Sequence, residues 1–315
     1  MALWLSAIHS LLCQPLFWFS GPILLALGQT ETVAMLAQDF LRIAGWGLLP
    51  MLCALALNSY LAALERAQVV MWVTLAGLPV NIALIWLLTF GNAGFPELGV
   101  RGAAISSVIV QTLQLVVLVA YARWLPATRK YHLFQRFWRP DGPAMRQVFR
   151  LGWPIGLTLV AEGGLFVGSN VMMGWIGTQE LAAHGIALQI TSITFMVHLG
   201  LSNAATVRVG QAKGRGDAAW MHDAAVTVIA MSLVFATIAI AVYLLAGEGL
   251  VRLYLDPADP RGPAIVALGA ALLVYSALFQ LTDAFQVIAL GFLRGVHDTR
   301  VPMWIAGFSY WVVGM

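Results

Sequence analysis

The chain has 315 residues, of which 60% are apolar and 10% charged, with a formal net charge of +3. A soluble domain carries roughly 25% charged residues, so a water-soluble globule, a disordered chain, a collagen and a coiled coil are excluded. The charge excess is too small to define a nucleic-acid surface, and Cys13 and Cys53 show neither a disulfide scaffold nor zinc-site spacing.

A helix that crosses a bilayer needs about 20 mostly apolar residues. Stretches free of Asp, Glu, Lys and Arg run over 1–30, 43–64, 67–96 and 102–122 in the first half. In the second half they run over 151–179 (broken by Glu162), 181–207, 224–247, 262–293 (broken by Asp283) and 301–315. Eight are long enough to cross; the ninth reaches Met315 first. Long runs without alternation suit helices, which satisfy their own backbone in lipid. The first run lacks a basic n-region and is too long for a cleaved h-region, so it reads as a retained helix. Pro50, Pro79 and Pro154 are expected to bend their helices. The expected fold is all-α, a polytopic membrane helix bundle.

Alternate loops separate the basic residues. Arg66, the segment from Arg123 to Arg150, Arg208, Lys213, Arg215, Arg294 and Arg300 supply 13 of 17, leaving Arg42, Arg101, Arg252 and Arg261 opposite. The positive-inside rule places the larger group in the cytosol and runs the first helix outward. The expected location is the inner membrane, multi-pass and in contact with lipid headgroups; a monomer with no nucleic-acid partner is also expected. The organisation expected is a partial N-terminal lobe over 1–124, a cytosolic basic linker over 125–150 and a partial C-terminal lobe over 151–315.

A shift of 232 residues lays Tyr60-Leu61 over Phe292-Leu293, Val69 over Val301, and Met71-Trp72 over Met303-Trp304. Both copies are cytosolic connections leading outward, so the repeat is parallel, giving two pseudo-symmetric lobes about an axis along the membrane normal. Matching the copies predicts twelve helices, six and six, with this chain truncated at both ends.

Of the fourteen acidic residues, Glu162 and Asp283 alone sit deep within spans. Glu162 follows Arg150 by roughly 18 Å of helix and Asp283 precedes Arg294 by roughly 16 Å, which sets both at one depth. An ionised carboxylate at mid-membrane costs upward of ~2.5 kcal/mol. With no Lys or Arg expected at that level, the partner must be mobile: Na+, a proton or a cationic substrate. The bland alternative is a protonated carboxyl bonded to a neighbouring helix. Gln280, at i−3 from Asp283, and Asn170, at i+8 from Glu162, can share those faces. His198 reads as a hydrogen-bonded packing residue. Gly214-Arg215-Gly216-Asp217 imitates the GxGD pattern of intramembrane aspartyl proteases, but its basic residues hold it in a cytosolic loop, where that chemistry fails. No standard catalytic or phosphate-cradling pattern occurs, so no enzyme and no resident cofactor are expected.

Gly152-Trp153-Pro154-Ile155-Gly156, Glu162, Leu181-Ala182-Ala183-His184 and the run from Gly200 to Ala212 resemble the second half of multidrug and toxic compound extrusion (MATE) transporters. Asp283-Ala284-Phe285-Gln286 and Gly291-Phe292-Leu293-Arg294-Gly295 resemble that family's tenth helix. The resemblance implies secondary active efflux of small cationic or aromatic drugs and dyes against Na+ or H+, by alternating access. It places the second-lobe cation site, with Na+ as one candidate ion, at Glu162 and Asp283, with Gln280 and Asn170 beside them. Phe279 stands where the family pattern leads one to expect tyrosine. In the first lobe, Asn81 remains of a polar pair, Ile85 occupying the other position. The rival readings are a lipid-linked saccharide flippase of the same superfamily, which should carry arginines within its spans, a non-transporting fragment of a truncated gene, and an intramembrane protease.

Overall fold

The computed structural model describes residues 1–124, 141–257 and 260–314, and these fall into two compact units, Met1–Phe149 and Arg150–Met315. Among the described residues there is no strand.

The first unit contains α1 (Ala2–Trp18), α2 (Ser20–Ala26), α3 (Glu31–Ala44), α4 (Leu48–Ala63), α5 (Ala67–Leu88) and α6 (Gly99–Trp124). The first apolar run is bent: α1 and α2 meet at 59°. Pro22 explains the break, because it has no N–H to return to the Trp18 carbonyl. That carbonyl instead accepts from Gln38 Nε2 and Arg42 Nε of α3, each at 3.1 Å. The second span departs from expectation. Helix begins at Glu31, not at 43, and continues through a 3-10 turn at Gly45–Gly47 into α4. Its charges are engaged. Arg42 also stacks over the Trp18 ring at 5.2 Å, and Asp39 pairs with Arg101 of α6 at 2.9 Å. Ala54, Leu57 and Leu61 of α4 pack with Leu118 of α6 to form the core of this unit.

The second unit contains α7 (Gly142–Ile176, whose first turns fall in the first unit), α8 (Thr178–Arg215), α9 (Ala218–Arg252), α10 (Gly262–Gly295) and α11 (Arg300–Phe308), which runs into a π-turn at Ser309–Val313. Of the expected linker, 125–140 lies outside the described residues, while 142–150 already belong to α7. Helices α8, α9 and α10 form the core, built on Ala187, Ile190, Tyr243, Val251, Val266, Leu273 and Ala277. The α8–α10 seam is close because one side carries hydroxyls and the other glycine. Ser202 Oγ donates to the Val287 carbonyl at 2.6 Å, and Thr206 Oγ1 donates to the Gly291 carbonyl at 2.9 Å.

The 232-residue repeat reappears in the local backbone. The turn after α4 has Glu65 at φ +62° and that after α10 has His297 at φ +66°. Arg66 N donates to the Leu61 carbonyl and Asp298 N to the Leu293 carbonyl, both at 2.9 Å. These are two copies of one left-handed helix stop. A third stop, at Gly216 (φ +69°), disposes of the protease imitation. Gly216 ends α8, and Asp217 Oδ1 accepts from Trp220 N at 2.9 Å, capping α9. Asp217→Ala should therefore cost about 1 kcal/mol of local helix stability, seen as faster amide exchange over residues 218–221 with no change in expression.

Candidate cation site

Glu162 is carried by α7 and Asp283 by α10, and both are half-buried. The fold brings them within electrostatic range of one another. Neither carboxylate has a hydrogen bond or a salt bridge among the described residues. Arg294, in the last turn of α10, also acts on Glu162, with the opposite sign. This corrects the expectation of no basic group in reach. A guanidinium on a flexible stem extends along its helix well beyond its Cα level. It remains a field and not a contact.

Two polar residues that the sequence reading did not place at the site join the cluster. Tyr310, in the π-turn after α11, interacts electrostatically with both carboxylates, and Gln286 Nε2 donates a short hydrogen bond to its hydroxyl oxygen. The segment is seated against α7, since a Cβ at Gly164 would lie 2.6 Å from Trp311 Cζ2. The available signal was Gln286 at i+3 from Asp283, mirroring Gln280 at i−3. Tyr310 could not be found by spacing, because its span is distant in sequence.

The other expected site residues have the following surroundings. Asn170 turns back on its own helix, Nδ2 donating to the Phe166 carbonyl at 3.0 Å. Gln280 is 2% exposed and faces α8, where Nε2 donates to His198 Nε2 at 3.3 Å. In the first unit, Asn81 is half-buried on α5 and its amide has no hydrogen bond among the described residues. One turn earlier, Gly77 leaves room for the Gln114 amide of α6. Among the described residues no three His, Cys, Asp or Glu converge as a metal centre.

Among the described residues, seven helices long and apolar enough to cross a membrane, or eight counting the bent α1–α2 pair, define a multi-pass membrane protein. The MatE family model matches residues 1–87 and 154–315, and the chain belongs to that family. It is 44% identical over 314 residues to a probable multidrug resistance protein NorM of Rhizobium meliloti, covering 100% of this chain and 67% of that protein. It is 41% identical over 315 residues to the NorM of Agrobacterium fabrum, covering 100% and 68%. The chain thus spans about two thirds of the length of these relatives. Two solved structures share the fold. A MOP superfamily transporter from Pyrococcus furiosus matches with TM-score 0.87 at 18% identity, over 98% of this chain and 68% of that one. The eukaryotic MATE transporter AtDTX14 matches with TM-score 0.84 at 20% identity, over 99% and 67%.

Proposed function

We propose that the protein is a secondary active multidrug efflux transporter that exchanges small cationic or aromatic compounds for Na+ or H+, with Glu162 and Asp283 holding the coupling ion and no resident cofactor. One observation carries the reading: two mutually repelling carboxylates, deep in spans, have no hydrogen-bonded or ion-paired partner among the described residues. When both are ionised, the pair carries more negative charge than the one guanidinium in range of Glu162 can offset. A single monovalent guest offsets the excess.

The mechanism follows from the cost of burial. With the pair open to water its charge is solvated, and closing the protein over it is opposed by desolvation. Binding of Na+ or H+ removes that opposition and favours the conformer closed to the outside. A cationic drug entering from the cytosol competes for the same negative field, and its release outside resets the cycle. The drive is the difference in ion affinity between the two conformers. The two multidrug resistance relatives, at 44% and 41% identity, support the substrate class.

The test is ethidium efflux by the full-length gene product in proteoliposomes, with an imposed Na+ gradient at clamped pH and an imposed pH gradient without Na+. One of the two gradients should drive uphill ethidium movement. Uphill movement under neither would overturn the reading.

A further inference from the structure

Gln280 lies one turn from Asp283 on α10, and a Gln–Asp pair at that spacing is a standard helix-surface hydrogen bond. The structure makes a different bond. His198 of α8 is 0% exposed and uses both ring nitrogens: Nε2 accepts from Gln280 Nε2 at 3.3 Å, and Nδ1 meets Ser232 Oγ of α9 at 3.0 Å. An amide nitrogen can only donate, so the imidazole is the neutral Nδ1–H tautomer, donating to Ser232. The Phe235 ring closes the pocket edge-on at 5.4 Å, and one turn outward on α8, Thr194 bonds Tyr243 at 2.6 Å. Three helices thus meet at a buried, hydrogen-bonded polar centre one turn from the coupling carboxylate.

We propose that His198 is a positioning residue for the cation site: by engaging Gln280, it keeps that amide off Asp283 and leaves the carboxylate free for its ion. The inference rests on the coupling role given above to Asp283. An amide N–H bonded to a carboxylate stabilises its charge and occupies a lone pair, and an arriving cation must displace it. Hydrogen bonds to charged groups are among the stronger ones. Deprived of His198, the buried amide needs a new acceptor, and the acceptors one turn away on its own helix are Ser276 Oγ, which already donates to the Leu272 carbonyl, and the charged Asp283 carboxylate, the stronger of the two. The cation would then bind more weakly, while the conformational steps that set the maximal rate would change less.

The test measures ion-driven ethidium efflux by the full-length protein in proteoliposomes and separates the half-saturating concentration of the driving cation from the maximal rate. His198→Phe should raise the half-saturating concentration about tenfold and change the maximal rate by less than about threefold. Adding Gln280→Leu to that variant should return the concentration to within about twofold of the wild-type value. His198→Gln, which still offers Gln280 an acceptor, should behave as wild type. Purely structural damage at His198 is not repaired by deleting a second polar group, so persistence of the defect in the double variant overturns the inference. Gln280→Leu alone covers the case in which His198→Phe does not fold. It should leave the half-saturating concentration within about twofold of wild type, and a tenfold rise would make Gln280 a ligand and overturn the inference. Infrared spectroscopy reads the bond itself, without transport. The carboxylate band identified by Asp283→Asn should shift in His198→Phe and return in the double variant. If Asp283→Asn leaves ion dependence intact, the coupling site is wrong, while the infrared band still decides whether His198 restrains Gln280.

Discussion

Glu162→Gln and Asp283→Asn should each lower cation-driven efflux at least tenfold, with membrane insertion and expression unchanged. Each substitution keeps the shape of the side chain and removes one negative charge. Each change removes one of the two acidic groups that an arriving cation would meet. The site then has a weaker field to offer a cation and a smaller desolvation cost for the ion to relieve. Losing one charge-assisted contact corresponds to about 10- to 100-fold in affinity. The double variant should be little worse than either single one, because two residues that act as one site are not additive. Insertion should survive, since replacing an ionised group by an amide lowers the cost of placing the helix in lipid. The measurement is initial efflux rate against imposed ion gradient. Wild-type dependence in both single variants would leave the pair without a role in coupling.

Much of the fold was legible because lipid imposes one dominant rule, and charge-free runs report it directly. The rule fails where charge is neutralised inside the protein. Helix α3 carries Glu31, Asp39 and Arg42, so a charge filter discards it. The structure keeps it because Arg42 serves the Trp18 carbonyl that Pro22 abandons, while Asp39 pairs with Arg101. The depth expected for the two carboxylates rests on helical rise alone, because it depends only on counting residues along a helix. Direction around the helix depends on what packs where, and there the reading by spacing diverges from the structure. Gln280 shares a helix face with Asp283 by i−3 spacing, yet a histidine 82 residues earlier claims it. Arg294 and Tyr310 were invisible as site neighbours for the same reason. Their approach is tertiary. The 232-residue repeat shows the opposite case, a few weak identities marking a turn whose backbone and hydrogen bonds recur at Glu65 and His297.

Gly291→Leu should abolish accumulation of folded protein. A Cβ at Gly291 would lie 2.5 Å from the Ser202 carbonyl oxygen and 2.6 Å from its Oγ, and one at Gly295 would lie 2.9 Å from the Thr206 carbonyl oxygen. The obstruction at both positions includes α8 backbone, which cannot rotate aside as a long side chain can. A substituted side chain must therefore separate the helices, breaking the bonds from Ser202 to the Val287 carbonyl and from Thr206 to the Gly291 carbonyl. Overpacking alone costs about 1–3 kcal/mol, and interhelical hydrogen bonds in membranes add about 0.6 kcal/mol each. Together these approach the margin of a small domain. Gly200 supplies the control within the same α8 motif. Nothing lies within 4 Å of its would-be Cβ, so Gly200→Ala should be neutral or slightly stabilising by helix propensity. The yield of folded protein tests Gly291→Leu, and detergent melting compares Gly200→Ala with wild type. The seam also bears on transport, because Gly291 sits eight residues, or roughly 12 Å of helix, below Asp283. A milder wedge, Gly291→Ala, should therefore lower both the melting temperature and the apparent ion affinity, since the helix that presents the carboxylate is displaced at its base. A folded Gly291→Leu protein with wild-type ion affinity would show that the close α8–α10 approach does not hold Asp283 in place.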